Sequence, residues 1–127
     1  MSWKGCCLAA ELLKQGGTGA DAIVKGIQDV EDNPAFHSVG YGGLPDEEGE
    51  VCLDGAFMDG DTLRFGAVAS LKGFRSPIAI ARSLMPSPFN NFLCAEGAEK
   101  YAEEHGFERR DNRTEESLSR WKKEREK

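Results

Sequence analysis

The stretch that decides the fold is residues 51–71, VCLDGAFMDGDTLRFGAVASL. Two runs of alternating or apolar residues, 51–58 and 62–71, flank Asp59-Gly60-Asp61. A short turn with Asp-Gly between two such runs is a strong local signal for a β-hairpin. Both runs contain glycines and alanines, whose small size allows another layer to pack closely on the sheet. Both faces are partly apolar, and two strands are a poor sheet in isolation, so we expect strands from elsewhere to join them.

Helical patterns lie on both sides of this hairpin. A helix is predicted over 6–15, ending at Gly16-Gly17, and a second over 19–31. The inward faces of these two helices are predicted to carry Leu8, Leu12 and Leu13, and then Ala22, Ile23, Ile27 and Val30. After the hairpin, Pro77 is predicted to open a helix to about residue 85, followed by a short strand over 91–94 and a helix over 95–106. The inward positions of these two helices are predicted to be Ile78, Ile80, Ala81 and Leu84, and then Ala98, Tyr101 and Ala102. This order of elements indicates an α+β or layered α/β fold.

The C-terminal residues differ in composition from the rest. We divide the chain into a folded portion, 1–107, and a polar helix or tail, 108–127, whose large apolar residues are Leu118 and Trp121. Thr114, with Glu116 or Ser117 nearby, is a candidate cap for a final helix, and a solvated helix or frayed tail is the simplest expectation. Residues 112–114 also form an N-glycosylation sequon, a tripeptide that arises often by chance.

Composition excludes some partners and leaves others open. The chain has 127 residues, enough for one domain, and a formal net charge of −6. That charge argues against a nucleic-acid partner and weakly against anionic membranes. There is no apolar run long enough for a membrane span, and we expect no secretory signal in residues 1–10. The cysteines have no zinc-ligand spacing and are expected to be free thiols, with their disulfide state open: Cys6, Cys7, Cys52 and Cys94.

Six segments together resemble the α-subunit of glycosylasparaginase, a threonine-type N-terminal nucleophile hydrolase of asparaginase family 2. Their order and spacing match across residues 8–106. The segments are GG and ADAI at 16–17 and 20–23, VEDNP at 30–34, SVGYGG at 38–43, LDGAFMDG at 53–60, GAVA at 66–69 and PIAIAR at 77–82. The SVGYGG segment is more similar to the glycosylasparaginase branch than to the isoaspartyl peptidase branch.

The resemblance implies a fold and a chemistry. The fold would be an αββα sandwich made of an α chain and a β chain that arise by autocatalytic cleavage, assembled as (αβ)2. The β chain would begin with the threonine nucleophile, whose own α-amino group acts as the base. The substrate would be asparagine or, preferentially, N-acetylglucosaminyl-asparagine, and no metal or cofactor would take part. The family occurs in lysosomes and in bacteria, so the compartment stays open.

The sequence departs from the family pattern in three places. The His-Asp-Thr cleavage site is absent, so the nucleophile is expected on another chain. The first strand, which carries a pocket-lining Trp-Asn-Phe-Gly-like segment in the family, is also absent, and Trp3 is a candidate remnant of it. Residues 88–90 replace the Thr-Pro-His of the family, so the role of that histidine is in doubt.

The resemblance also selects site residues on this chain. Ser38 is expected to orient the nucleophile hydroxyl without reacting itself, although a loop serine can simply cap local backbone. Gly40, Gly42 and Gly43 are expected to let the backbone pass close to the substrate, or to supply turn dihedrals that need glycine.

Two other candidate sites are disfavoured by geometry. Asp54 and Asp59 are five residues apart on a strand, so they do not form a glycosidase-like carboxylate pair. His37 is adjacent to Ser38 on an extended chain, where neighbouring side chains do not face each other, so a Ser–His pair is disfavoured. The alternative to an enzyme subunit is a catalytically inactive, truncated homologue that acts as a binding or regulatory partner.

Overall fold

Three strands form a single sheet in the order β1-β2-β3 in the computed structural model, which describes residues 2–127. Strand β1 (Leu53–Met58) and strand β2 (Phe65–Leu71) pair antiparallel, which confirms the predicted hairpin. Its turn is closed by the amide of Asp59, which donates to the carbonyl of Arg64 at 2.9 Å. The short strand β3 (Phe92–Cys94) lies parallel to β2.

One face of this sheet is covered by helices α3 (Pro77–Leu84) and α4 (Ala95–Glu104). The cover is close because the strands carry glycine beneath the helix: a Cβ on Gly66 would lie 2.0 Å from the carbonyl oxygen of Ala81. The core between the two layers is apolar and includes Val24, Phe57, Val68, Leu71, Phe74, Ile78, Ile80, Ala81, Leu84, Ala98 and Ala102. The expected inward positions of both helices are therefore confirmed.

The opposite face of the sheet is bare. Because side chains alternate along a strand, this face carries Asp54, Ala56, Met58, Phe65, Ala67, Ala69, Phe92 and Cys94. Met58, Phe65 and Phe92 are 58%, 45% and 56% exposed. Among residues 2–127, the helices that pack closely on the sheet are α3 and α4, both on the other side. We refer to this surface as the bare sheet face.

Helices α1 (Trp3–Lys14) and α2 (Gly19–Glu31) form a separate pair. Helix α1 begins three residues before the predicted start because the hydroxyl of Ser2 accepts a hydrogen bond from the amide of Gly5 at 3.2 Å. The two helices meet at a glycine contact, where a Cβ on Gly5 would lie 2.6 Å from the carbonyl oxygen of Gly26.

The predicted apolar faces of α1 and α2 are wrong in part. Leu13, Ile23 and Ile27 are 51%, 52% and 38% exposed, whereas Val24 is buried. Helix α2 packs on the core through Val24. Ile23 and Ile27 instead line an open groove.

The C-terminal residues fold back on the molecule. Helix α5 (Glu115–Arg125) begins with a reciprocal cap in which Thr114 and Ser117 exchange side-chain to backbone hydrogen bonds. The side chain of Asn112 is 2% exposed and its amide donates to the carbonyl of Phe74 at 2.9 Å, so the sequon is not available for glycosylation in this fold. No helix within residues 2–127 has both the length and the apolar character of a membrane span.

Candidate functional site

A groove of about 710 Å³ lies between the α1–α2 pair and the unpaired edge of β1. Its walls are mainly apolar or small, and polar side chains are contributed by Ser2, Glu31, Ser38 and Asp54. The lining comprises Ser2, Gly5, Cys6, Ala9, Ala22, Ile23, Gly26, Ile27, Val30, Glu31, Ser38, Val39, Gly40, Cys52, Leu53, Asp54, Gly55, Ala56, Pro77 and Ile78. Asp54 and Ala56 belong to the bare sheet face as well, so the groove and that face form one continuous surface.

Ser38 lies on this groove. Its side chain is exposed, and its hydroxyl has no hydrogen-bond partner within residues 2–127. The serine is therefore not occupied by capping its own loop. Its proposed role in orienting a nucleophile stays a prediction.

The glycines of the SVGYGG segment have two different positions. Gly40 lines the groove with φ of +56°, and a Cβ there would lie 1.9 Å from the carbonyl oxygen of Glu31. The same carbonyl accepts the amide of Tyr41 at 2.7 Å. Gly42, with φ of +87°, and Gly43 are buried behind the groove against Pro34 and Val51 respectively. Gly40 thus lines the groove, whereas Gly42 and Gly43 pack the segment against Pro34 and Val51 on the side away from the groove.

Glu31 ends α2 beneath this segment, and its side chain is 4% exposed. Its Oε1 accepts the amide of Ile78 at 3.1 Å, which caps the start of α3, while Oε2 has no partner of ordinary hydrogen-bond geometry within residues 2–127. Burial raises the pKa of Glu31, and the Ile78 amide and the nearby Ser76 hydroxyl offset only part of that rise. The sequence did not single out Glu31, because an acidic residue at the end of an amphipathic helix usually points to solvent.

An ion-pair network fixes the end of α2. Both oxygens of Asp32 accept from Arg75, at 3.0 and 2.6 Å, and Oδ1 also accepts from Arg110 at 2.5 Å. Burial alone would raise the pKa of Asp32, but the two guanidinium groups outweigh it and hold the pKa below its ordinary value. The network joins three distant parts of the chain directly below Gly40 and Tyr41.

Several sequence candidates do not meet at the groove. Trp3 is 83% exposed on α1 and does not line the groove, so its place in a pocket stays a prediction. His37 Nδ1 lies 3.1 Å from the carbonyl oxygen of Gly42 rather than beside Ser38. Asp54 accepts the amide of Ser70 at 2.9 Å, whereas Asp59 accepts the amide of Asp61 in the hairpin turn at 3.0 Å. The two aspartates therefore stabilise the hairpin and do not form a pair.

The cysteines are free thiols, and Cys6 and Cys52 line the groove. Partial desolvation, followed by the hydrogen bond from its thiol to Asp46, raises the pKa of the exposed Cys52, which disfavours its nucleophilic thiolate form. In the part of the chain that the structure describes, there is no cluster of three or more metal-ligating side chains. The groove thus presents hydroxyls, thiols and carboxylates beside its apolar wall, and among residues 2–127 no side chain forms a hydrogen bond with the Ser38 hydroxyl.

Comparison with known proteins gives consistent results. The family model described as Asparaginase matches residues 5–127. An N(4)-(beta-N-acetylglucosaminyl)-L-asparaginase of Elizabethkingia miricola is 40% identical over 114 residues, which cover 90% of this chain and 33% of that protein. A plant-type L-asparaginase of Thermococcus kodakarensis is 40% identical over 111 residues, covering 87% of this chain and 36% of the relative. The chain therefore spans about a third of the length of these curated relatives.

Proposed function

The chain belongs to the Asparaginase family, and we propose that it is the α-subunit part of an amidohydrolase that cleaves the side-chain amide of asparagine. N-acetylglucosaminyl-asparagine is the preferred substrate in this proposal. The name of the Elizabethkingia relative supports that choice, and the name of the plant-type relative supports free asparagine as a second substrate.

The observation that carries the proposal is the bare sheet face. Its centre is made of small residues, Ala56, Ala67 and Ala69, and its margin of exposed Met58 and Phe65. Stacked sheets lie about 10 Å apart and interdigitate through such faces. Since the chain spans about a third of its relatives' length, the remaining two-thirds of a family member is the natural occupant. A second sheet from that polypeptide would complete an αββα sandwich.

The nucleophile in this proposal is the N-terminal threonine of the second polypeptide. The threonines of this chain support an external nucleophile, because each hydroxyl serves local structure: Thr18 and Thr114 cap helices, and Thr62 donates to Asp59 in the hairpin turn. The incoming hydroxyl would attack the amide carbonyl while the α-amino group of the same threonine takes its proton. The nitrogen of the substrate's side-chain amide then takes up that proton and leaves as ammonia or an amine. Water hydrolyses the remaining aspartyl ester on the threonine to release aspartate.

Ser38 would contribute to this reaction by position. It lines the groove together with the buried Gly40, and its hydroxyl is free to hydrogen-bond the incoming threonine. Such a contact would hold the threonine hydroxyl in a reactive orientation without a covalent role for the serine.

The alternative is that the chain is an inactive homologue which binds an intact second subunit and regulates it. The same bare face serves both readings. The two hypotheses differ in the activity of the assembled complex, because only an enzyme subunit forms an active enzyme when it is combined with the rest of the family sequence.

Reconstitution tests the proposal. The chain is mixed with a second polypeptide that comprises the remaining family length and begins with threonine, and aspartate release is measured with asparagine and with N-acetylglucosaminyl-asparagine. We expect hydrolysis by the mixture, little by either component, and faster hydrolysis of the glycosylated substrate. Ser38→Ala should lower kcat in the mixture, with Ser87→Ala, on a loop that does not line the groove, as the matched control. A stable complex without turnover would favour the regulatory reading.

A further inference from the structure

The loop that carries Ser38 is held from outside by the end of the chain. We refer to residues 37–50 as the glycine loop and to residues 108–125 as the C-terminal strap. The strap was expected to be a solvated helix or tail, but it contacts the glycine loop at residues 41–42 and again at residues 46–50.

The first contact anchors the middle of the glycine loop. The backbone carbonyl of Asn112 accepts the amide of Gly42 at 2.8 Å. Asn112 is itself fixed, because its buried side-chain amide donates to the carbonyl of Phe74 at 2.9 Å, and Phe74 is fully buried in the core. The loop amide therefore connects to the core through one strap residue.

The second contact lies beneath Gly40. The guanidinium of Arg110 is 5.4 Å from the centre of the Tyr41 ring and donates to Asp32 at 2.5 Å. It also donates to the carbonyl of Glu31 at 3.3 Å, the same oxygen that accepts the amide of Tyr41. One strap side chain thus touches both the loop and the end of α2 on which the loop rests.

The third contact holds the far end of the loop. The indole Nε1–H of Trp121 donates to the carbonyl of Asp46 at 2.7 Å, and the ring lies against Gly49, where a Cβ would come within 3.3 Å of it. Arg125 donates to the carbonyl of Glu47, and Arg113 donates to the side chain of Glu50 at 3.1 Å. Gly49 has φ of +86°, so glycine permits both the turn and the ring contact.

The energetics of α5 indicate that these contacts support both partners. An isolated helix of fewer than about 12 residues is marginal in water, and α5 has 11 residues with few apolar ones. Its stability must come from its capping box and from the loop contacts. The glycine loop, in turn, lies outside strands and helices over 38–50 and is held internally by turn hydrogen bonds. The strap contacts therefore add to the stability of the loop, and the loop contacts to that of α5.

We propose that the C-terminal strap is a positioning device that holds Ser38 and Gly40 in place for catalysis, with Trp121 and Asn112 as its positioning residues. The proposal rests on the proposed function for its catalytic consequence, but its structural part concerns this chain alone. Loss of the Trp121 contacts should loosen the glycine loop while the sheet and its core stay intact.

Amide hydrogen exchange followed by NMR tests this coupling residue by residue. In Trp121→Ala we expect amides of residues 41–50 to exchange at least about tenfold faster, while amides of β1 and β2 keep their rates, because local opening is independent of global unfolding. Trp121→Phe keeps a ring against Gly49 and removes the Nε1–H donor, so it should restore part of the protection. Lys123→Ala, an exposed change on the same helix, is the matched control and should alter neither set of amides.

The catalytic consequence is measured separately in the reconstituted mixture. Trp121→Ala should lower kcat about tenfold or more with a smaller change in KM, since a displaced Ser38 affects orientation more than binding. The proposed role of the strap would be overturned if Trp121→Ala left amide exchange in the glycine loop unchanged. It would also be overturned if amide exchange accelerated equally in the loop and in β1 and β2. If the wild-type mixture were inactive while Trp121→Ala accelerated amide exchange in the glycine loop alone, the proposed function would be refuted. The structural role of the strap would still stand. Selective loop exchange with unchanged kcat would show that the strap does not position the site, and that part would be withdrawn.

Discussion

Replacement of Gly40 by alanine tests the packing on which the candidate site depends. Gly40 has φ of +56°, and a Cβ there would lie 1.9 Å from the carbonyl oxygen of Glu31. Ordinary van der Waals contact begins near 3.4 Å, so roughly 1.5 Å of movement is needed to relieve the overlap. The atom in the way is backbone at the end of α2, held by Tyr41 and Arg110, and it cannot rotate aside.

The expected cost follows from two contributions. A left-handed conformation costs a residue with a side chain about 1–2 kcal/mol. Moving the loop breaks the 2.7 Å hydrogen bond from Tyr41 to Glu31, and a buried group left unpaired costs about 1–3 kcal/mol. We therefore expect Gly40→Ala to lower the free energy of unfolding by about 2–5 kcal/mol, out of the roughly 5–15 kcal/mol typical of a folded domain.

Gly16→Ala is the matched control. Gly16 has φ of +85°, but a Cβ there would meet no atom within 4 Å. It should show the conformational cost alone, about 1–2 kcal/mol. Urea unfolding of both variants measures the difference, and Gly40→Ala should also accelerate amide exchange in the glycine loop. Equal losses of stability in the two variants would refute the close packing of Gly40 on Glu31 and with it the placement of Ser38.

Two further predictions concern the acidic residues below the loop. The pKa of Glu31 is raised in the folded state, so its contribution to the free energy of unfolding is fully present below the ordinary carboxyl pKa of about 4.3 and is lost as the pH rises through the raised value. Glu31→Gln lacks this titration, so its free energy of unfolding should increase relative to that of the wild type between pH 4 and pH 7. Urea unfolding at the two pH values measures the difference, and a difference in midpoints that stays constant would contradict the raised pKa. The pKa of Asp32 is lowered, so its contribution is present above the ordinary aspartate pKa of about 3.9 and is lost as the pH falls through the lowered value. Asp32→Asn should therefore be less stable than wild type at pH 7, by about 1–3 kcal/mol, with a gap that narrows towards pH 2 in thermal melts; a gap that widens at low pH would contradict the ion pairs with Arg75 and Arg110.

Local sequence signals predicted much of the fold. Asp59-Gly60 located the hairpin, Pro77 located the start of α3, and Thr114 located the cap of α5, because each residue acts through its own backbone or immediate neighbours. The inward positions of α3 and α4 also followed from helical periodicity. These features depend on short-range chemistry that is present in the order of the residues.

Features set by long-range contacts could not be predicted in this way. Periodicity alone placed Ile23 and Ile27 inward, but whether an apolar stripe is buried depends on what lies opposite it. The burial of Glu31 and of Asn112 arises from partners 47 and 38 residues away. The role of Trp121 likewise depends on a bond to Asp46, 75 residues earlier, so a polar C-terminal segment was expected to be solvated.

The central claim is that the bare sheet face is completed by another polypeptide. The most direct measurement is the mass of the species formed with the threonine-initiated second polypeptide, determined by sedimentation velocity for the wild type and for Ala67→Glu. Ala67 pairs with Ala56 and Phe92 at the centre of that face, so a charge there would be buried against the second sheet. We predict a complex of both chains for the wild type and its loss in Ala67→Glu. Equal binding by the two proteins, or a wild-type chain that stays a separate, sharply melting monomer, would contradict the account.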